Sequence, residues 1–377
     1  MNKNYDIAAY VWPAYTGESS TTRIFWEKGI GEWQTVLASE ARFEGQVWPR
    51  RPLWGCVNEA NPDVMEMQIK SAVNHGVNVF IYDWYWYDNR PFLNECLENG
   101  FLKADNNEDM KFFIMWANHD VRYTWDVRNA DKNDSMKPVL YRGAVTPEEF
   151  ENATDYVIEN YFSKPNYYKI DGKPVFQFYF LPNLMRSFGS VEKVAEALEK
   201  FRAKTVAAGY PGLHLQLDMM ENGKLSYKTD SKYAEKDPVI FTDDYFAVAE
   251  KTGFDSITHY QFVDMVDVNT TYEEVIPEVL KCWEETKERT KLTYYPHVSV
   301  GWDANPRYKN EQPEGVLREN TPEQIEKMFR LAKEYADKNS LSLITVNSWN
   351  EWTEGSYLQP DDLYGYGYLE AIKKVFK

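Results

Sequence analysis

Short apolar runs alternate with longer stretches of helical periodicity along most of the chain. Residues 7–12 read as a first strand, and an aromatic and charged insertion follows over 13–60. Asn61-Pro62-Asp63 supplies an N-cap and a first-turn proline for a helix that Gly76 closes after His75. The pattern then predicts a strand over 77–82, a short helix over 91–102, a strand over 111–115 and a long polar loop over 117–144. Thr146-Pro147-Glu148-Glu149 has the spacing of a capping box and opens a helix to about 161. A fourth strand over 174–180, an amphipathic helix over 191–208 ended by Gly209, and a fifth strand over 213–217 come next. Further on, the pattern predicts a helix over 243–251, a short strand over 255–259, a helix over 273–289 that must accommodate Pro277, and a strand over 297–300. Thr321-Pro322-Glu323-Gln324 opens a helix to 338, followed by an eighth strand over 342–346 and a closing helix over 367–376.

Eight strands alternating with helices predict an α/β fold, a single (β/α)8 TIM-type barrel with long βα loops, spanning 1–377 as one domain. Trp12-Pro13-Ala14-Tyr15 after the first strand is unlike a dinucleotide fingerprint. No fixed-period repeat and no low-complexity linker interrupts the pattern.

Composition narrows the class. At 43% hydrophobic and 27% charged the chain can bury a large core and does not resemble a disordered sequence. A formal charge of −17 argues against nucleic acid and anionic membrane surfaces as partners, and is neutral toward a carbohydrate. Thirteen Trp and 27 Tyr exceed what a core of this size needs, which points to stacking surfaces with polar edges. Cys56, Cys96 and Cys282 are too dispersed for a disulfide framework or a zinc site, and the five histidines are equally scattered, so no metal and no cofactor are expected. No apolar run reaches membrane-span length. The start, Met1-Asn2-Lys3-Asn4-Tyr5-Asp6, lacks the apolar stretch of a secretory leader; the compartment stays open between cytoplasm and, had a leader been removed, periplasm or exterior.

In a barrel the segments after the strands converge on one rim. They are Trp12 at the end of the first strand, then Asp83-Trp84-Tyr85-Trp86-Tyr87, Trp116-Ala117-Asn118-His119-Asp120, Asp218, His259-Tyr260-Gln261 and Gly301-Trp302-Asp303. After the eighth strand come Glu351 and Glu354, set among Trp349, Asn350, Trp352 and Tyr357. If 351–354 is one helical turn, its glutamates share a face with Cβ atoms roughly 5–6 Å apart, and retaining glycosidases place their carboxyls about 5–5.5 Å apart. Each feature also has a plain structural reading. A Glu-x-x-Glu is usually two solvated charges, and the 82–87 aromatics can be core. His119 beside Asp120 reads as a polar loop before it reads as a base with its orienter, because adjacent side chains diverge. Asp303 with Arg307 can be a structural ion pair, and Glu32 and Trp33 lack strand context.

Five segments carry a resemblance: Gly31-Glu32-Trp33, FEGQVWPRRP at 43–52, FIMWAN at 113–118, GWDANPR at 301–307 and NSWNEWTEG at 347–355. Together they resemble the WbsX-type family, associated with surface-polysaccharide biosynthesis and related to glycoside hydrolase family 99, the endo-α-mannosidases. The resemblance spans almost the whole chain, and the Trp-Asn-Glu-Trp-x-Glu-Gly block is its most specific part. It implies a barrel acting on glycans without a metal. Glu351 would be the base toward the sugar 2-hydroxyl and Glu354 the general acid/base, with retention through an anhydro-sugar. Thr353 stands where the hydrolases carry His, and Gln359 where they carry an acidic residue before Pro; both bear on mannoside specificity rather than on the carboxylate pair.

The expected activity is a retaining glycoside hydrolase acting on a complex polysaccharide or oligosaccharide. Substrate-binding residues would come from Trp12, Asp83, Trp84, Tyr85, Trp116, Asn118, His119, Tyr260, Trp302, Asp303, Trp349, Asn350, Trp352 and Tyr357. A general acid needs its pKa raised above about 4.3, and a second carboxylate with an aromatic wall acts in that direction. The alternatives are a glycosyltransferase that grips a nucleotide-sugar diphosphate and a non-catalytic glycan-binding protein.

Overall fold

The computed structural model describes residues 4–17, 20–122, 125, 138–219, 244–307 and 315–377. Eight parallel strand positions form the centre: β1 Asp6–Val11, β2 Val79–Tyr87, β3 Lys111–Trp116, β4 Lys173–Phe178, β5 His214–Met219, β6 Ser256–His259, β7 in two pieces (Thr293–Tyr294 and His297–Ser299), and β8 Leu343–Asn347. Each pairs with its sequence neighbour, and β8 returns to β1 with Ile7 opposite Ile344 and Ala9 opposite Val346. The split in β7 is local. Thr293–Tyr294 pairs with β6 and His297–Ser299 with β8. Pro296 between them has no N–H for the ladder, yet its carbonyl accepts from Thr345 N at 3.1 Å and Tyr295 N donates to Ile257 O at 3.0 Å. The ring of strands therefore closes through β7 as a (β/α)8 barrel.

The helices begin where their caps predict. Asn61 accepts from Asp63 N at the head of Pro62–His75, and Gly76 ends that helix at φ 98°. Thr146 and Thr271 form complete capping boxes with Glu149 and Glu274. Tyr272–Arg289 carries Pro277 inside the helix, in its second turn, so that position forgoes one backbone hydrogen bond.

Four differences from the expected pattern appear. The expected helix over 91–102 is instead a strand, Arg90–Phe92, followed by a π-turn and a 3₁₀ turn over Cys96–Gly100 and Phe101–Lys103. The loop over 117–144 contains a small hairpin of Val121–Arg122 with Val139–Tyr141. A helix not foreseen, Leu181–Phe188, follows β4. Strand β2 is also longer than its apolar run, with nine buried residues to Tyr87. Among the described residues no helix is long and apolar enough to cross a membrane.

The barrel interior is polar under the rim. Gln177 Nε2 donates to Asp218 Oδ1 at 2.7 Å and Tyr10 OH to the same oxygen at 3.0 Å. Thr258 and Thr345 are joined at 2.7 Å, and His297 Nδ1 reaches Thr345 at 3.0 Å. This fully buried layer forms the floor beneath the strand ends.

Candidate active site

A cleft of about 420 Å³ opens at the C-terminal end of the barrel, a size suited to a small ligand or one sugar unit. Strand alternation decides what reaches it. In β2, Asp83 and Tyr85 face the cleft, whereas Trp84 and Trp86 face the helices: Trp84 Nε1 donates to Tyr161 OH at 3.2 Å and Trp86 packs on Tyr156. Trp12, Tyr85 and Trp125 meet edge to face, with centroids 5.2–5.8 Å apart, and His119 closes the group.

The two glutamates of the last loop converge on this space. Glu351 lies in a two-residue strand, Asn350–Glu351, paired with Ser356–Tyr357, and Glu354 ends a single 3₁₀ turn. The helical turn expected over 351–354 is thus half strand and half 3₁₀, because the Asn350–Glu351 and Ser356–Tyr357 segments pair across it. Two glycines let the neighbouring loop close in. A Cβ on Gly301 would lie 2.2 Å from Gly355 O, and Gly355 itself has φ 61°. That contact brings Asp303 N onto Glu354 O at 2.6 Å and carries Arg307 over the pair.

Arg307 is the electrostatic centre. Its Nη1 donates to Glu354 Oε1 at 2.7 Å, and its Nη2 to Glu351 Oε2 at 3.3 Å and Thr353 Oγ1 at 2.8 Å. Glu32 Oε1 lies 3.6 Å from the same Nη2, and the other oxygen of Glu32 accepts from Trp12 Nε1. Tyr260 OH sits between carboxyls, 3.0 Å from Asp83 Oδ2 and 3.3 Å from Glu351 Oε1. Burial, with Glu354, Glu32 and Asp83 nearby, pushes Glu351 well above the usual carboxylate range, and Arg307 opposes the shift. Burial likewise raises Glu32 against the pull of Arg307, and raises Asp83 against its bond from Tyr260. Asp83 Oδ1 and Glu354 Oε2 are buried with no hydrogen-bond partner among the described residues.

Of the residues singled out in the sequence, Glu351, Glu354, Trp12, Asp83, Tyr85, His119 and Tyr260 line the cleft. The other nine do not. Trp84 and Trp116 belong to the helix-facing layer, the latter stacked on Phe150. Asn118 clamps both backbone groups of Phe180 at 2.8 and 2.9 Å. Asp303 is held by Gln46 and Asn305, and Trp302 packs beside it at the edge of the core. Trp349 turns outward onto Phe80, Asn350 grips the backbone of Trp12, and Trp352 stacks on Tyr357 at 3.8 Å. Large rings in a motif suggest platforms, but alternation and the tight loop send them into packing. His119 and Asp120 do not form a side-chain dyad: His119 Nδ1 contacts the Asp120 carbonyl, and the Asp120 carboxylate accepts from Gly143 N. Arg307 reaches the glutamates rather than serving as a plain structural partner for Asp303.

Glu32, Trp26, Tyr179 and Arg307 also line the cleft, beyond the site residues the sequence points to. The Gly31-Glu32-Trp33 and GWDANPR segments carried the signal for two of them. No local pattern marks Trp26 or Tyr179.

The overall fold resembles a glycoside hydrolase family 99 endo-α-mannosidase from Bacteroides thetaiotaomicron, with a TM-score of 0.58 at 13% identity over 98% of this chain and 95% of that one. A protein described as glycoside hydrolase-like gives the same TM-score at 17% identity, over 100% and 95%. In sequence the chain is 23% identical to the uncharacterized protein WxcX of two Xanthomonas campestris pv. campestris strains, over 93% of its own residues. It spans about half of that relative, 47%. A family model described as Glycosyltransferase WbsX matches residues 7–372, and the protein belongs to that family.

Proposed function

We propose that this protein is a glycoside hydrolase that cleaves a complex polysaccharide or oligosaccharide with retention, using Glu351 and Glu354. The observation that carries this reading is the convergence of both carboxylates, through one shared guanidinium, on an aromatic-lined cleft at the strand ends. Glu351 takes the proton of the sugar 2-hydroxyl, whose oxygen then attacks the anomeric carbon. Glu354 gives a proton to the departing oxygen, so the glycosidic bond breaks as the anhydro ring forms. Water then opens that ring and both protons return. The assignment of the two roles rests on the family-99 resemblance. Burial raises Glu351 and Arg307 opposes the rise, so the base role depends on the guanidinium keeping Glu351 ionised. Glu354 keeps Oε1 on Arg307, and its Oε2 has no hydrogen-bond partner among the described residues.

The family's description as a glycosyltransferase keeps transfer from a nucleotide sugar as a second reading. Glu32, Asp83, Glu351 and Glu354 face the cleft against Arg122 and Arg307, so a diphosphate would meet more acidic than basic side chains. Purified protein incubated with a glycan panel should release new reducing ends, and Glu354→Gln should lower turnover about 10²- to 10⁴-fold while glycan binding persists. Undiminished hydrolysis by that variant removes the role of Glu354. Tight binding of uridine or guanosine diphosphate, with no glycan cleaved, favours transfer.

A further inference from the structure

Behind the cleft lies a second carboxylate site that the reaction does not touch. Glu59 is fully buried in the loop before the helix Pro62–His75. Its Oε1 accepts from Gln68 Nε2 at 3.1 Å and Gln359 Nε2 at 2.8 Å. Its Oε2 accepts from Asn350 Nδ2 at 2.9 Å and from the Cys96 thiol at 3.8 Å. Every contact is a donor, so an ionised carboxylate suits the site and a neutral acid would face its proton toward another.

The three amides are thereby given one orientation. With each NH₂ turned to Glu59, each carbonyl turns outward. Gln68 Oε1 accepts from Trp349 Nε1 at 2.7 Å, Gln359 Oε1 from Trp352 Nε1 at 2.8 Å, and Asn350 Oδ1 from Trp12 N at 2.8 Å. The residues on either side of Glu351, and the strand end opposite it, thus hang from one buried charge through single amides.

We infer that Glu59 is the positioning residue of the Glu351/Glu354 pair, holding the loop from Trp349 to Gln359 in register with Trp12. The inference rests on the glycosidase reading for its catalytic consequence but not for its structural one. Gln359, which departs from the related hydrolases, is part of this scaffold and not of the cleft lining.

Burial lifts Glu59 to about 7 against the pull of its four donors. The titratable groups facing it are the Cys96 thiol and the Tyr15 and Tyr82 phenols, all pushed up by burial and so uncharged there. Protonation near neutral pH must then displace one donor, either the Cys96 thiol or one of the three amides that hold a tryptophan.

The test compares wild type, Glu59→Gln and the relocated pair Glu59→Gln/Gln68→Glu. Wild-type tryptophan emission should change with a midpoint near 7, and Glu59→Gln should abolish that step. On the glycan identified by the panel, Glu59→Gln should lower kcat about 10²-fold, as a small misplacement of reacting groups does, with KM nearly unchanged. The double variant, which keeps one carboxylate in the network, should recover part of the loss. If Glu59→Gln folds poorly, the wild-type emission step and the rescue by the double variant still decide the matter. An emission step that survives in Glu59→Gln overturns the inference, as does an unchanged kcat. A wild type that cleaves no glycan sinks the hydrolase reading alone, because the emission comparison needs no substrate.

Discussion

Arg307 offers the sharpest test of the site, because it neutralises a cluster that would otherwise repel itself. Replacing it by Met keeps much of its length and removes the charge. Unit charges about 4 Å apart at an effective dielectric of about 20 interact by roughly 4 kcal/mol. The guanidinium is 22% exposed, and its own desolvation offsets part of that attraction, so the net loss of stability should be about 2–3 kcal/mol near pH 8. The pH dependence carries the argument. Glu351 is raised in the folded protein, so folding takes up a proton there; that contribution is complete at low pH and is lost as pH rises through the folded value. Arg307 opposes this shift, and without it Glu351 and Glu32 rise further, steepening the loss. The Tm gap between wild type and Arg307→Met should therefore be small at about pH 5 and grow to about 5 °C at about pH 8, taking roughly 2 °C per kcal/mol for a chain of this length. Scanning calorimetry across that range measures it. A gap of the same size at both ends would mean that Arg307 acts by packing alone, and would refute the electrostatic account.

Two further outcomes follow from the geometry. Trp84→Ala should cost about 3–5 kcal/mol of stability with the folded fraction retaining its glycan affinity, whereas Tyr85→Ala, one residue along the same strand, should weaken glycan binding; equal effects in denaturation and binding assays would contradict the inward–outward alternation. Gly301→Ala places a Cβ 2.2 Å from Gly355 O, so the 301–307 loop must withdraw and take Arg307 with it; the variant should show the same enlarged high-pH instability as Arg307→Met, and a wild-type Tm profile would show that the loop docks without that close approach.

The alternation of strand and helix, the caps at Asn61, Thr146 and Thr321, and the special character of the Trp349–Gly355 block were all legible in the sequence, because caps, turn glycines and apolar periods act over a few residues. The (β/α)8 barrel followed from counting them. The path of 83–87 was not legible: Asp83 looked like a strand terminator, yet the run continues in β2 because Arg90–Phe92 folds back to pair with it. Side-chain direction then divided the aromatics, sending Trp84, Trp116, Trp349 and Trp352 into packing and leaving Trp12 and Tyr85 in the cleft. The meeting of Glu32, Arg307, Glu351 and Glu354 was beyond any local pattern. Their loops are hundreds of residues apart in part, and only barrel closure, with Gly301 against Gly355, brings one guanidinium within reach of three carboxylates. Sequence determines which segments can form and which groups can react; long-range packing decides which of those groups share a dry, charged space, since that depends on distances no short stretch of chain encodes.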